Sequence, residues 1–184
     1  MPDLDPILTL TANYCVALLF LFACYGKVRS FGVFRATLSD YELVPGALVG
    51  LSAISIVVLE LAIGFGALFR SFAAPVMAAA AVLLLLYAAA IGVNLVRGRR
   101  DIDCGCTGPA TQQLLSGWLI LRNTGLAALA IVGAAPTTQR LLHSADFALV
   151  GMALLAAGAL YAAINQLMAN APRLDALDSL MEPS

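Results

Sequence analysis

Charge is what this chain has least of. Only 11% of its 184 residues are charged, and 61% are hydrophobic, with a mean hydropathy of +0.93. An ordinary soluble domain carries about 25% charged residues and about 45–50% apolar ones. A compact water-soluble fold would lack the polar surface to cover itself, which excludes a soluble enzyme. Low hydrophobicity is the mark of disorder, so a disordered chain is excluded too. The formal net charge is −1, which leaves no basic field for nucleic acid. Histidine occurs once, at His143, and a metal centre needs more ligands than that, so no metal site is expected. What remains is an integral membrane protein of one domain.

The gaps between charges mark the spans. Residues 6–26, 71–96 and 147–172 are uncharged, 43–69 hold only Glu60, and 104–139 are broken only by Arg122. A helix needs roughly 20 apolar residues to cross a hydrocarbon core of ~30 Å. These runs predict five transmembrane helices near 7–28, 46–69, 72–96, 114–135 and 147–169, an all-α polytopic bundle. A transmembrane β-barrel needs period-two alternation, and the run from Ala78 to Leu86 has none. The acidic start, Met1-Pro2-Asp3-Leu4-Asp5, and the lack of an Ala-x-Ala-like site argue against a cleaved signal peptide. There is no internal repeat. Gly46, Gly50, Gly64, Gly66 and Ala67 supply small residues for close helix contacts. Residues 1–171 form the expected helical domain. Residues 172–184, with Leu174, Leu177 and Met181 among acids after Pro172, form an expected flexible tail.

Five spans put the first loop, the third loop and the C-terminal tail on one side. That side holds Lys27, Arg29, Arg35, Arg97, Arg99, Arg100 and Arg173, against Arg70 and Arg140 on the other. By the positive-inside rule the richer side is cytoplasmic. In the first loop, Phe31, Phe34, Leu38 and Tyr41 recur at helical spacing with Arg29 and Arg35 off the stripe. This pattern fits a short amphipathic helix on the membrane surface, or a packed re-entry into the second span.

Chemistry concentrates in the third loop. Cys104 and Cys106 lie in Asp101-Ile102-Asp103-Cys104-Gly105-Cys106-Thr107-Gly108-Pro109, the one compact, polar, Gly-rich stretch. A thiolate is favoured ahead of a helix N-terminus and near cations such as Arg97, Arg99 and Arg100, although Asp101 and Asp103 oppose it. Two cysteines separated by one glycine can close a small strained ring, and strained disulfides tend to be the labile, catalytic ones. The bland alternative is a pair of loop thiols. Cys15 and Cys24, nine residues apart in the first span, cannot bond each other without unwinding it. Depth arithmetic puts Cys24, Asn94, Asn165, Gln166, Arg122 and Asn123 beneath the loop as a polar vestibule, with Cys24 a candidate third redox partner. Glu60 needs a partner or a proton. Arg122 is the choice by charge and Tyr14 the rival; a proton-conducting and a merely structural role stay equally open.

The residues resemble a known family. Tyr25-Gly26-Lys27 closing the first span is similar to the methylamine-utilisation MauE proteins of the wider DoxX-like group. So are Phe34, the stretch Ser39-Asp40-Tyr41-Glu42-Leu43-Val44-Pro45, Glu60-Leu61, and Cys104-Gly105-Cys106-Thr107-Gly108 ahead of Arg122-Asn123. The likeness runs over roughly the first 125 residues. It implies a bacterial inner-membrane protein that helps mature the disulfide-rich small subunit of methylamine dehydrogenase beside a thioredoxin-like MauD-type partner. Cys104 and Cys106 would be the exchanging thiols, with Cys24, Lys27, Glu60, Arg122 and Asn123 in support. The layout is also similar to quinone-linked disulfide formers of the vitamin K epoxide reductase type. Those proteins separate the cysteines by two residues and keep a shuttle pair in the first loop, which this chain lacks. The expectation is therefore that no cofactor is required, with a quinone disfavoured. Periplasmic maturation would need the thiols outside, where disulfides persist, against the charge count. A non-catalytic assembly or export factor, and a small-molecule transporter built on Glu60 and Arg122, are the competing readings.

Overall fold

The computed structural model describes residues 4–99, 101–104, 114–138 and 140–181, apart from the side chains of 169 and 171–181. Six α-helices account for most of these residues: α1 (Pro6–Arg29), α2 (Phe31–Asp40), α3 (Val49–Gly66), α4 (Ala73–Val96), α5 (Gly117–Gly133) and α6 (Ser144–Met181). Asp5 opens α1 as its N-cap, its carboxylate accepting the Ile7 N–H at 2.8 Å, with Pro6 in the first turn. That arrangement satisfies an otherwise orphaned donor at a position where proline loses nothing.

Four segments are long and apolar enough to cross a bilayer: Pro6–Arg29, Gly46–Gly66, Arg70–Val96 and Ser144–Met168. At 17 residues, α5 is shorter, spanning about 25 Å at 1.5 Å per residue. Its ends nevertheless lie at opposite poles of the bundle. At one pole Leu115 N–H bonds the Ile102 carbonyl, and the guanidinium of Arg99 pairs with the carboxylate of Glu42, tying the third loop to the first. At the other pole Leu4 bridges to Thr137, and Arg140 pairs with Asp5 and Asp146, tying the chain's start to the fourth loop. The protein is thus an all-α polytopic helix bundle. Its apolar exterior, including Phe22, Leu51, Val58, Leu86, Leu121 and Leu155, is what a lipid-facing surface requires.

Two packed pairs organise the interior: α1 lies against α3, and α4 against α5, whereas α3 and α4 touch only slightly. Gly64 makes the first pair possible. A Cβ there would meet Leu21 Cγ and Cδ2 at 2.8 Å and the Leu21 nitrogen at 3.3 Å. Val16, Phe20, Ile63, Met77, Leu84 and Ala130 fill the space where these helices converge. The last helix runs past the predicted span. Its backbone stays helical past 169 and through Pro172 to Met181, because leaving the hydrocarbon ends the apolar requirement but not the helix preference of Leu174, Ala176 and Leu177.

Candidate functional site

The amphipathic stripe of the first loop forms α2, which runs back over the end of α1 and packs on α3. Tyr41, its C-cap, is buried and reaches 63 residues along the chain, donating from Oη to the Cys104 carbonyl at 3.5 Å. Burial, and then the Asp103 carboxylate, push the Tyr41 phenol well above its ordinary range, so it remains a protonated donor. Cys104 itself is buried within a cluster of Tyr41, Ile91, Leu115 and Leu119. An antiparallel bridge between Asp103 and Leu114 fixes its backbone ahead of α5. Cys104 is disulfide-bonded, while Cys15 and Cys24 carry free thiols. Cys106 lies outside the described residues, as does Arg100.

Arg122, one and a half turns into α5, is 8% exposed and points its Nη2 at the Cys104 sulfur, 3.8 Å away. Its Nη1 donates to Asn165 Oδ1 on α6 at 3.2 Å. A guanidinium held beside sulfur is suited to receive the negative charge that appears when a disulfide is cleaved. Other members of the expected vestibule make different contacts. Asn123 and Asn94 turn back on their own helices, donating to the Leu119 and Ala90 carbonyls. Gln166 is exposed. Cys24 donates its S–H to the Val57 carbonyl at 3.7 Å and stands beside the α1–α3 contact.

Glu60 is wholly buried, and its partner is neither Arg122 nor Tyr14. Lys27 Nζ lies 2.6 Å from Glu60 Oε1, and Tyr87 Oη donates to the same oxygen at 2.7 Å. Lys27 meets Glu60 although its own Cα lies near the end of α1. Helical side chains lean towards the helix N-terminus, and a lysine stem spans about 6 Å, so Lys27 reaches well below its own Cα. Phe34 and Tyr87 hold the ammonium between their rings, with centroids 5.3 and 5.6 Å away, within cation–π range. Tyr87 escaped the sequence reading. It is the only hydroxyl-bearing side chain between Ser71 and Asn94, a signal that an otherwise apolar run does carry.

These two constellations share one space. A cavity of about 250 Å³ lies between α3 and α4 beneath α2, with Lys27 and Tyr87 on its wall together with Tyr41 and Cys104. The rest of the lining is almost wholly aliphatic or aromatic, including Phe34, Ile56, Leu83 and Ile91.

The fold and site define a multi-pass helical membrane protein with a disulfide-bonded cysteine and a buried ion pair at one end of its bundle. Comparison with known proteins narrows this further. The family model for methylamine utilisation protein MauE matches residues 5–136. The chain is 35% identical to the methylamine utilization protein MauE of Paracoccus denitrificans over 128 residues, covering 70% of this chain and 69% of that one. Against the protein of the same name in Methylophilus methylotrophus it is 33% identical over 150 residues, 81% and 79% of the two chains. Against that of Methylorubrum extorquens it is 31% identical over 156 residues, 82% and 84%. This chain belongs to the MauE family. No solved structure matches it.

Proposed function

We propose that this protein is a membrane thiol–disulfide exchange protein that serves methylamine utilisation. Its task would be to set the disulfides of the methylamine dehydrogenase small subunit together with a thioredoxin-like partner of the MauD type. The observation that carries the reading is the buried Cys104 disulfide with the Arg122 guanidinium 3.8 Å from its sulfur. In the exchange, a thiolate of the partner attacks one sulfur of the disulfide, forming a mixed disulfide and expelling the other sulfur as a thiolate. A second partner thiolate then resolves the mixed disulfide. The partner leaves oxidised, and this chain is left with two reduced cysteines. Arg122 stabilises a thiolate on Cys104, and Tyr41 steadies the backbone that carries it. A bacterial inner membrane is the setting this function requires.

Trapping the mixed disulfide tests the reading. The unaltered chain, its Cys104 disulfide intact, co-expressed with a thioredoxin-like protein lacking its resolving cysteine, should yield a covalent adduct that the Cys104→Ala/Cys106→Ala chain does not form. That adduct should disappear on reduction. Absence of adduct with the unaltered chain, inserted and folded, would instead favour a non-catalytic assembly factor.

A further inference from the structure

We infer that the cavity beneath α2 binds the head group of a membrane quinone, which takes the electrons from the reduced Cys104 pair. The inference deepens the exchange reading above and rests on it, because that reading leaves two reduced cysteines needing an oxidant.

Three features of the cavity specify the ligand. First, it opens toward lipid. The α3–α4 contact is slight, and the lining residue Leu86 on α4 is 59% exposed on the apolar exterior. An apolar molecule can therefore arrive sideways from the bilayer. Second, its size suits a ring. At about 250 Å³ it falls just under the roughly 300–1,000 Å³ of sites for drug-sized ligands, too small for a whole lipid. Third, it presents a donor in excess. Lys27 is 6% exposed and gives one of its three N–H groups to Glu60; among the described residues no other acceptor is within hydrogen-bond reach of it. Beyond Glu60 the ammonium meets only the Phe34 and Tyr87 rings, so it can still donate to an acceptor on the occupant. A flat ring bearing carbonyl oxygens and an isoprenoid tail meets all three demands, and a fatty-acyl chain fails the third. The Cys-x-Cys spacing disfavours a quinone by analogy; the cavity argues for one on its own chemistry.

The step balances. Two thiols, Cys104 and the cysteine bonded to it in the oxidised state, lose two electrons and two protons and form the disulfide. The quinone gains both, becoming a quinol. Lys27 donates a hydrogen bond to one quinone oxygen and stabilises the charge that develops there, and Glu60 holds Lys27 in place.

The test uses the full chain in nanodiscs, reduced and then freed of reductant without oxygen, and a short-tailed ubiquinone analogue. One quinol should form per Cys104 disulfide, and the analogue should saturably quench Trp118, the sole tryptophan, which packs in the cluster around Cys104. Ala90 also lines the cavity, and Ala90→Phe should slow quinol formation at least ten-fold relative to that variant's own rate of exchange with a thioredoxin-like protein. Lys27→Met should weaken quinone binding by a similar factor. Exchange without quinol formation in the unaltered protein would overturn the inference and leave the exchange reading standing. So would an Ala90→Phe protein oxidised as fast as the unaltered one, or a tightly held phospholipid that the quinone does not displace. Loss of exchange itself in the unaltered protein would remove the reading beneath both.

Discussion

The ion pair between Lys27 and Glu60 offers the sharpest physical test of this architecture. Both side chains are buried, at 6% and 0% exposure, and their charged atoms are 2.6 Å apart. With an effective dielectric of ~20, two unit charges at that separation attract by about 6 kcal/mol. Desolvation of both groups cancels much of this, so the pair as a whole contributes little net stability. Breaking it is another matter. Lys27→Met leaves a buried carboxylate with only the Tyr87 hydroxyl, and Glu60→Gln leaves a buried ammonium among aromatic rings. Each single change should cost about 3–5 kcal/mol. The double variant Lys27→Met/Glu60→Gln removes both charges at nearly constant volume and keeps an oxygen for Tyr87. It should recover most of the loss, giving a coupling energy far from zero. Reversible unfolding in mixed micelles at rising denaturing-detergent fraction measures all four corners of the cycle. Strictly additive losses would refute the pairing.

Other consequences follow from particular contacts. Arg122→Met should make the Cys104 disulfide harder to reduce. A cation near 4 Å contributes up to about 4 kcal/mol at a dielectric of ~20, or roughly 90 mV for a two-electron couple; a shift of tens of millivolts is expected after screening. An unchanged potential in a glutathione redox titration would remove Arg122 from the site. The Arg99 hydrogen bond, and then its charge, hold the Glu42 carboxyl below its ordinary range. A lowered folded-state value stabilises above the ordinary Glu range, and that stabilisation is lost as pH falls through the lowered value. The first and third loops should therefore loosen in acid, seen as faster reduction of Cys104 by a small phosphine. Glu42→Gln should abolish that pH dependence. Gly64→Val should wedge α1 from α3 against Leu21 at a cost of about 1–3 kcal/mol, and Leu21→Ala in the same chain should relieve it.

Much of the architecture could be read from charge spacing. Uncharged runs are a direct consequence of the cost of carrying charge through hydrocarbon, so the spans and the helical class are visible in one dimension. The α2 stripe was legible for the same reason: Phe34, Leu38 and Tyr41 share one face because the helix period puts them there, and all three line the cavity. Side-chain pairing was not legible. Which residue meets Glu60 depends on the antiparallel register of α1 and α3, on the close approach at Gly64, and on the lean of a long side chain. None of these leaves a periodic trace. The cavity was equally hidden, because it exists only where α3 and α4 fail to pack and α2 covers the gap.

If Cys104 works by cycling its disulfide, as proposed, maturation of the subunit must fail without it. In a strain lacking its own MauE, the full chain should restore growth on methylamine, with the methylamine dehydrogenase small subunit carrying its full set of disulfides by mass spectrometry. The Cys104→Ser/Cys106→Ser chain, inserted at equal level, should leave the subunit reduced or absent and growth lost. Full restoration by that double variant would contradict the account.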